Sequence, residues 1–404
     1  MGKAALIVVL GASLVMGNML VGLNQRSVIH SESINAHYES IISRNIANSA
    51  ANMAASELFR DFNWRTGLGT TSLNGGSLSA TAQDVVFDTT LTVKRVQVTA
   101  VSNFAGSSDT VVVVLHQPPF SQYASFNDKW SPTLVYSTGD TFWGPVHTNG
   151  IFRMTGSPVF FGKVTSVGAT YGTIGTTNPQ FLGGVEFGVD PVPLPTSLPA
   201  LIDSANSGGD VYTDHAWLRF NADGSYDYGS DNTYSGGTKY ISDYNGTLMT
   251  QGPKDIHVKG TLHGQLTIYS GRHIYIEDDI VYANDPQLYP GSQDMLGLVS
   301  TKNVIVADTP ANQTDVVIDA AIMALDKSFK VDHYDQGGPK GTLTTFGSIV
   351  QKENAPHSTG QFVGGVWTIT NGYADQSIYD QRFLQVGPPV FPLVPRVSVF
   401  SWLE

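Results

Sequence analysis

Residues 46–65 read IANSAANMAASELFRDFNWR, and residues 4–23 read AALIVVLGASLVMGNMLVGL. Ala47, Ala50, Ala51, Ala54, Leu58 and Phe62 recur at three- and four-residue steps, which draws one apolar face on a helix. Asn48, Asn52, Glu57 and Arg60 lie between them. No Gly or Pro occurs between Leu23 and Thr66, and Gly67 and Gly69 end the pattern. The spacing predicts one helix over residues 1–66. At about 1.5 Å per residue, Ala4 to Trp64 makes a rod of roughly 90 Å.

The two halves of that rod differ. Residues 4–23 are apolar all round, broken only by Ser13, Asn18 and three glycines. Their number matches the roughly 20 residues that cross a bilayer core. Lys3 and the amino terminus flank one side and Arg26 the other, which places the N-terminus on the cytoplasmic side. The run ends in Asn24-Gln25-Arg26 rather than the small-residue pattern of a cleaved signal. Leu6, Val9, Leu10, Leu14 and Leu20 are therefore expected in lipid or in a filament core. Ala47, Ala51, Ala54 and Leu58 are expected to pack on the protein's own domain or on neighbours.

Composition narrows the rest. The chain has 404 residues, no cysteine and a formal net charge of −12. That excludes a disulfide scaffold, a thiolate metal site and a cysteine nucleophile. An acidic chain lacks the basic face that phosphate backbones require, so nucleic acid is not an expected partner. All 20 prolines lie at or after Pro118. The helical start thus gives way to turn-rich β structure.

Residues 70–135 read as an antiparallel meander. One alternating run is Leu91, Val93, Val96, Val98 and Ala100, with a phase slip at Lys94-Arg95 that predicts a bulge. The other is the valine run Thr110–Leu115, with residues 102–109 as a turn-rich connection. Together, IANSAANMAASELFRDFNWR and VKRVQVTAVSNFAGSSDTVVVVL resemble the helix end and sheet of PilX-like minor pilins of the type IV pilus. The resemblance implies a subunit or tip component of an extracellular filament, held in the inner membrane before assembly with itself or other pilin-like subunits. Two positions depart from the prepilin pattern. Gly2 is followed by Lys3, and Ile7 stands where the fifth mature residue would be glutamate. Some tip-type minor pilins share that absence.

Residues 136–404 consist of short apolar triplets between turn residues. IHVKGTLHGQLTIYSGRHIYIEDDIVY, at 256–282, is typical. Such spacing predicts a parallel β-helix of roughly 20–30 residues per coil, on the order of eight coils over 138–350. Leu266-Thr267-Ile268, Ile274-Tyr275-Ile276 and Asn303–Val306 are the expected inward stacks. A β-sandwich or jelly roll is the alternative. The less regular stretch 176–255 reads as an insertion. It holds a Pro-rich segment with a short helix, and a hairpin turning at Asp223-Gly224. The strand Val397–Trp402 is expected to cap the last coil or lie along the body. DMLGLVSTKNVIV, DAAIMALDKSF, GSIVQKE, NGYADQSIYDQR, PPVFP and GPVHTNG resemble a family of uncharacterised bacterial envelope proteins. These carry a pilin-like helix and a repetitive β domain, which implies a cell-envelope location with the bulk extracytoplasmic.

Candidate chemistry is sparse. Glu277, Asp278 and Asp279 suit Ca²⁺ or acid–base work on a polysaccharide, but adjacent strand residues face opposite ways, so a solvated turn is the simpler reading. Asp223, Asp227, Asp231 and Asn232, and likewise Asp308, Asn312 and Asp315, suit Ca²⁺ or Asx turns. His257, His263 and His273 lie in successive strand segments and read as a structural ladder rather than a zinc site. No nucleophile elbow or P-loop is present. Tyr226, Tyr228 and Tyr234, set among polar residues, are the expected contact surface for a glycan or a protein. The expected function is structural and non-catalytic, with no cofactor. A glycan-binding adhesin and a β-helix polysaccharide lyase or hydrolase are the alternatives.

Overall fold

The computed structural model describes residues 2–85, 94–363 and 366–404. The chain divides into two compact units. One holds residues up to Val85, Arg95–His116 and Val397–Glu404, and the other includes Gln117–Arg396.

The first unit is built on one continuous helix, α1 (Gly2–Arg60). Four strands follow: β1 (Leu68–Leu73), β2 (Gly76–Val85), β3 (Arg95–Phe104) and β4 (Ser107–His116). They pair antiparallel in chain order. The C-terminal strand Ser398–Leu403 joins as the fifth, antiparallel to β4. That strand was expected on the β body. It completes this sheet instead, where it covers the edge of the valine-rich β4. The predicted bulge at Lys94-Arg95 is not seen in the part that can be followed, because β3 keeps regular register from Arg95 on. Leu91 and Val93 lie outside the described residues. The connection at 102–109 is far tighter than expected. Both strands run into it, leaving Ala105 and Gly106 as a two-residue turn with φ of 50° and 90°. Such a turn matches the right-handed twist of a hairpin.

One face of the sheet carries three rows across its three inner strands. Ala80, Ala100 and Val111 make one, Ala82, Val98 and Val113 the next, and Val96 and Leu115 the third. All are buried, and Ile46, Ala47, Ala50, Ala51, Ala54, Ala55 and Leu58 of α1 pack against them. Small alanines let the helix axis approach the sheet closely, so the branched strand side chains fill the gap.

The second unit is a mixed sheet whose long ladders pair in parallel, which those of a sandwich do not, with antiparallel pairs at 216–240 and 358–379. In the longest ladder Leu248 lies beside Ile268, Ile268 beside Leu298, Leu298 beside Ile322, and Ile322 beside Ile349. Each step advances the chain by 20–30 residues. A second ladder stacks Ala216, Ile256, Ile274, Val304 and Phe329. A third runs through Gly260, Ile280, Ile318 and Thr345. The expected inward residues Leu266, Ile268, Ile274, Ile276, Val304 and Val306 all lie in this core.

Chain order and spatial order part at one point. The strand Pro339–Glu353, late in the chain, pairs in parallel with Ser125–Lys129, the first strand of the unit. The ladder then continues through Val146–Thr148, Val164–Ser166 and Val185–Phe187. Coils of 210–353 are thus followed in space by coils of 125–187. The stretch 176–255 is not a separate insertion. It supplies rungs at Val185–Phe187, Asp210–Tyr212 and Thr247–Thr250. The helix Pro199–Gly208 and the segment 381–394 cover the outer face of the long ladder through Leu198, Leu201, Phe383, Phe391 and Val394.

Candidate functional site

The exposed part of α1 is the surface in the first unit that most needs a partner. Leu6, Val9, Leu10, Leu14 and Leu20 are 55–68% exposed. The helix is long and apolar enough to cross a membrane, and none of its most apolar stretch is buried. An α-helix that is apolar all round is stable only when lipid or protein surrounds it. Downstream, Ala47, Ala51, Ala54 and Leu58 are fully buried in the unit's own core, rather than offered to neighbours.

The change between the two regimes falls at Ser43. Its hydroxyl lies 2.9 Å from that of Ser102 and donates to the Ser107 carbonyl at 3.1 Å. The Ser102 hydroxyl donates to the Ser43 carbonyl at 2.6 Å. Arg44 and Asp109 pair beside it at 3.2 Å. Buried hydroxyls are retained only when bonded, so this cluster ties the helix to the β3–β4 turn where the apolar contact begins. The sequence reading did not single out Ser43. Its only signal there is a polar residue in phase with Ala47 and Ala50.

The three tyrosines do not form the expected surface. Tyr226 is 1% exposed. Its phenol donates to Asp210 at 2.6 Å, and burial, then that acceptor, push its pKa far above the usual range. Tyr228 is half-buried beside Lys239, whose ammonium lies 4.3 Å from its ring centroid and 2.7 and 2.9 Å from the Asp210 oxygens. The hairpin alternation explains the error. Tyr226 and Tyr228 share one strand face, and that face turns into the core. Tyr234 stays partly exposed, with the Arg219 guanidinium 4.9 Å from its ring.

The acidic groups are engaged one by one. Glu277 meets His257, and Asp279 accepts the Val317 amide. Asp223 and Asp231 close turns onto Ser225 and Thr233, while Asp227 pairs with Arg219. Asp308 pairs with Lys340 and His333. Asn312 is buried and donates to two carbonyls, and Asp315 accepts the Thr342 amide. Among the described residues no group of three or more His, Asp or Glu could hold a metal ion. The three histidines do not stack together either. His257 sits between Trp217 and Tyr275, at 3.7 and 4.7 Å between ring centroids. His263 meets Asp294, and His273 accepts the Asn303 amide.

The family described as Domain of unknown function (DUF4900) matches residues 84–169. No curated protein matches the chain. Among solved structures, the competence-associated pilin ComZ from Thermus thermophilus is similar at 12% identity over 90% of this chain and 97% of its own. The TM-score is 0.37, too low for the likeness to carry functional weight.

Proposed function

We propose that this chain is a pilin-like structural protein of the bacterial cell envelope, without catalytic activity. Its helix anchors it in the inner membrane and then packs among the helices of other pilin-like subunits, and its β-helical body stays outside the cytoplasm. One observation carries the reading: a single helix serves as core of a small sheet at one end and, among the described residues, is unburied at the other. A bare apolar helix needs an apolar surround, and lipid and a helical filament core both qualify. The polar groups support a scaffold because they are tied pairwise into turns rather than gathered on one cleft. Tyr234 already lies under Arg219, so no glycan platform is proposed there.

Mass spectrometry of the N-terminus, in membranes and in sheared surface material, tests this. Retention of residues 4–23 in the membrane, and in any filament fraction that contains the chain, is the expected result. A mature chain starting after Leu23 and freely soluble would overturn the proposal. In the same assay, Leu10→Asp with Leu14→Asp should abolish membrane retention, since a carboxylate near a span's centre costs about 3 kcal/mol.

A further inference from the structure

The strands Val316–Ala324 and Pro339–Glu353 each pass from the third ladder of the body into the longest one without a break. In the next coil that passage is split between two segments. Val366–Tyr379 continues the third ladder and ends, and Ser125–Lys129 takes up the longest one. A crevice opens at the split. Tyr379 and Ala124, from the two segments, line it with Thr345, Ser348, Ser377 and, from the coil that follows, Trp143. Its enclosed part is about 10 Å³, the space of one water or one hydroxyl. Ser348 is 2% exposed, and its hydroxyl has no hydrogen-bond partner among the described residues, whereas buried polar groups are normally bonded. Thr345 donates to the Ser377 hydroxyl at 3.4 Å. Trp143 is 51% exposed, and Phe161 covers one face of its indole, parallel at 4.0 Å between ring centroids. Phe161 belongs to the coil beyond, so the other face of the ring looks back over the crevice. No Lys or Arg lines this space. Asp140 stands just before the strand Thr141–Phe142, and Asp375 two residues before Ser377. Burial pushes the Asp140 carboxyl up to about 6 against the pull of the Ser137 amide, and Asp375, itself paired with His357, adds to the rise.

We propose that this crevice is a subsite for one sugar unit of a neutral polysaccharide. The unit lies against the free indole face, and one of its hydroxyls enters the enclosed space to meet Ser348. The C–H bonds on a pyranose face carry the partial positive charge that the negative face of an aromatic ring attracts. A hydroxyl both donates and accepts, which suits an unpaired Ser348 beside Thr345 and Ser377. An apolar protein side chain in the same space would leave Ser348 unpaired. A nucleic acid or an acidic polymer needs cations, and meets Asp140 and Asp375 instead.

The full-length chain, in a detergent without a sugar headgroup, is titrated with cellopentaose, maltopentaose and a chitin pentasaccharide, and binding is followed by calorimetry and saturation-transfer NMR. At least one probe should bind saturably. Trp143→Ala should weaken that binding about tenfold, the loss of a central aromatic anchor, and Trp143→Phe should restore most of it. Because the Ser348 hydroxyl has no partner in the protein, Ser348→Ala should melt as the wild type does and still bind several-fold more weakly. Trp217→Phe, whose ring stacks on His257 in another ladder, should leave binding unchanged. A wild type that binds none of the three probes, binding that ignores either Trp143→Ala or Ser348→Ala, or tighter Trp143-dependent binding of polygalacturonate or single-stranded DNA would overturn the proposal.

Discussion

Ala47, Ala50, Ala51 and Ala54 have no exposed surface, and all four belong to the core the helix shares with the strands. At such positions the smallness of the side chain is the function. Ala50→Leu should destabilise the first unit by about 1–3 kcal/mol through overpacking, read as a lower denaturant midpoint. In the second unit, Asp319 is an ionisable group in an apolar setting. Burial pushes its carboxyl up to about 7, although the Tyr282 amide donates to it at 2.8 Å. The raised value means that the folded state favours the protonated form. Its contribution to stability is full below about pH 4 and is lost as pH rises through about 7. Asp319→Asn should therefore gain on the wild type by on the order of 1–3 kcal/mol between pH 4 and pH 8 in melting experiments. A constant difference across that range would refute the assignment. The place of Ala50 on a buried stripe was legible in the helix spacing, whereas Asp319 carried no local signal, because only its surroundings make it sensitive.

The C-terminal strand shows the same limit at the scale of an element. Its alternation announced a strand, but no local signal told which sheet it would join. The valine run of β4 needs an edge cover, and Ser398–Leu403 supplies it with Ser398 opposite His116. The Arg95 guanidinium lies 4.0 Å from the Phe400 ring centroid, and His116 packs on the same ring. Burial, then Arg95, hold the His116 imidazole down at about 4. The neutral form is thus favoured on folding. Its stabilising share is complete above about pH 6.5 and is lost as pH falls through about 4. Amide hydrogen exchange should reveal faster exchange of residues 398–403 at pH 4.5 than pH change alone gives, and His116→Phe should blunt that increase. Equal acceleration in both proteins would count against His116 as the cause. The helix is the opposite case. Its buried stripe follows from spacing alone, since 3.6-residue periodicity is a local property, although the helix ends at Arg60, six residues before the expected end.

At the scale of the whole molecule, the body's strength lies in stacked rows. Leu248, Ile268, Leu298 and Ile322 form one such row, with Ile268 fully buried at its middle. Ile268→Ala should cost about 2–5 kcal/mol in the body's unfolding transition. A loss below 1 kcal/mol would show that the coils stack less tightly than described. The triplets named Ile268 in advance, and repeat length set the coil size. They said nothing of the order of coils, in which the strand ending at Glu353 sits beside the strand beginning at Ser125.

What the amino-acid sequence determined by itself was local periodicity: the two-part helix, the alternating strands of the small sheet and the inward residues of the short strands, with parallel and sandwich pairing of those strands left open. Periodicity decides which side of an element faces away from water, and hydrophobic burial does the rest. Only the tertiary structure decided what depends on a distant partner. That includes the sheet joined by residues 398–403, the burial of Tyr226 beneath its own hairpin, and the pairing of the strand 339–353 with the strand 125–129. Edges, neighbours and exposure belong to pairs of segments, and a single segment's sequence does not name its pair.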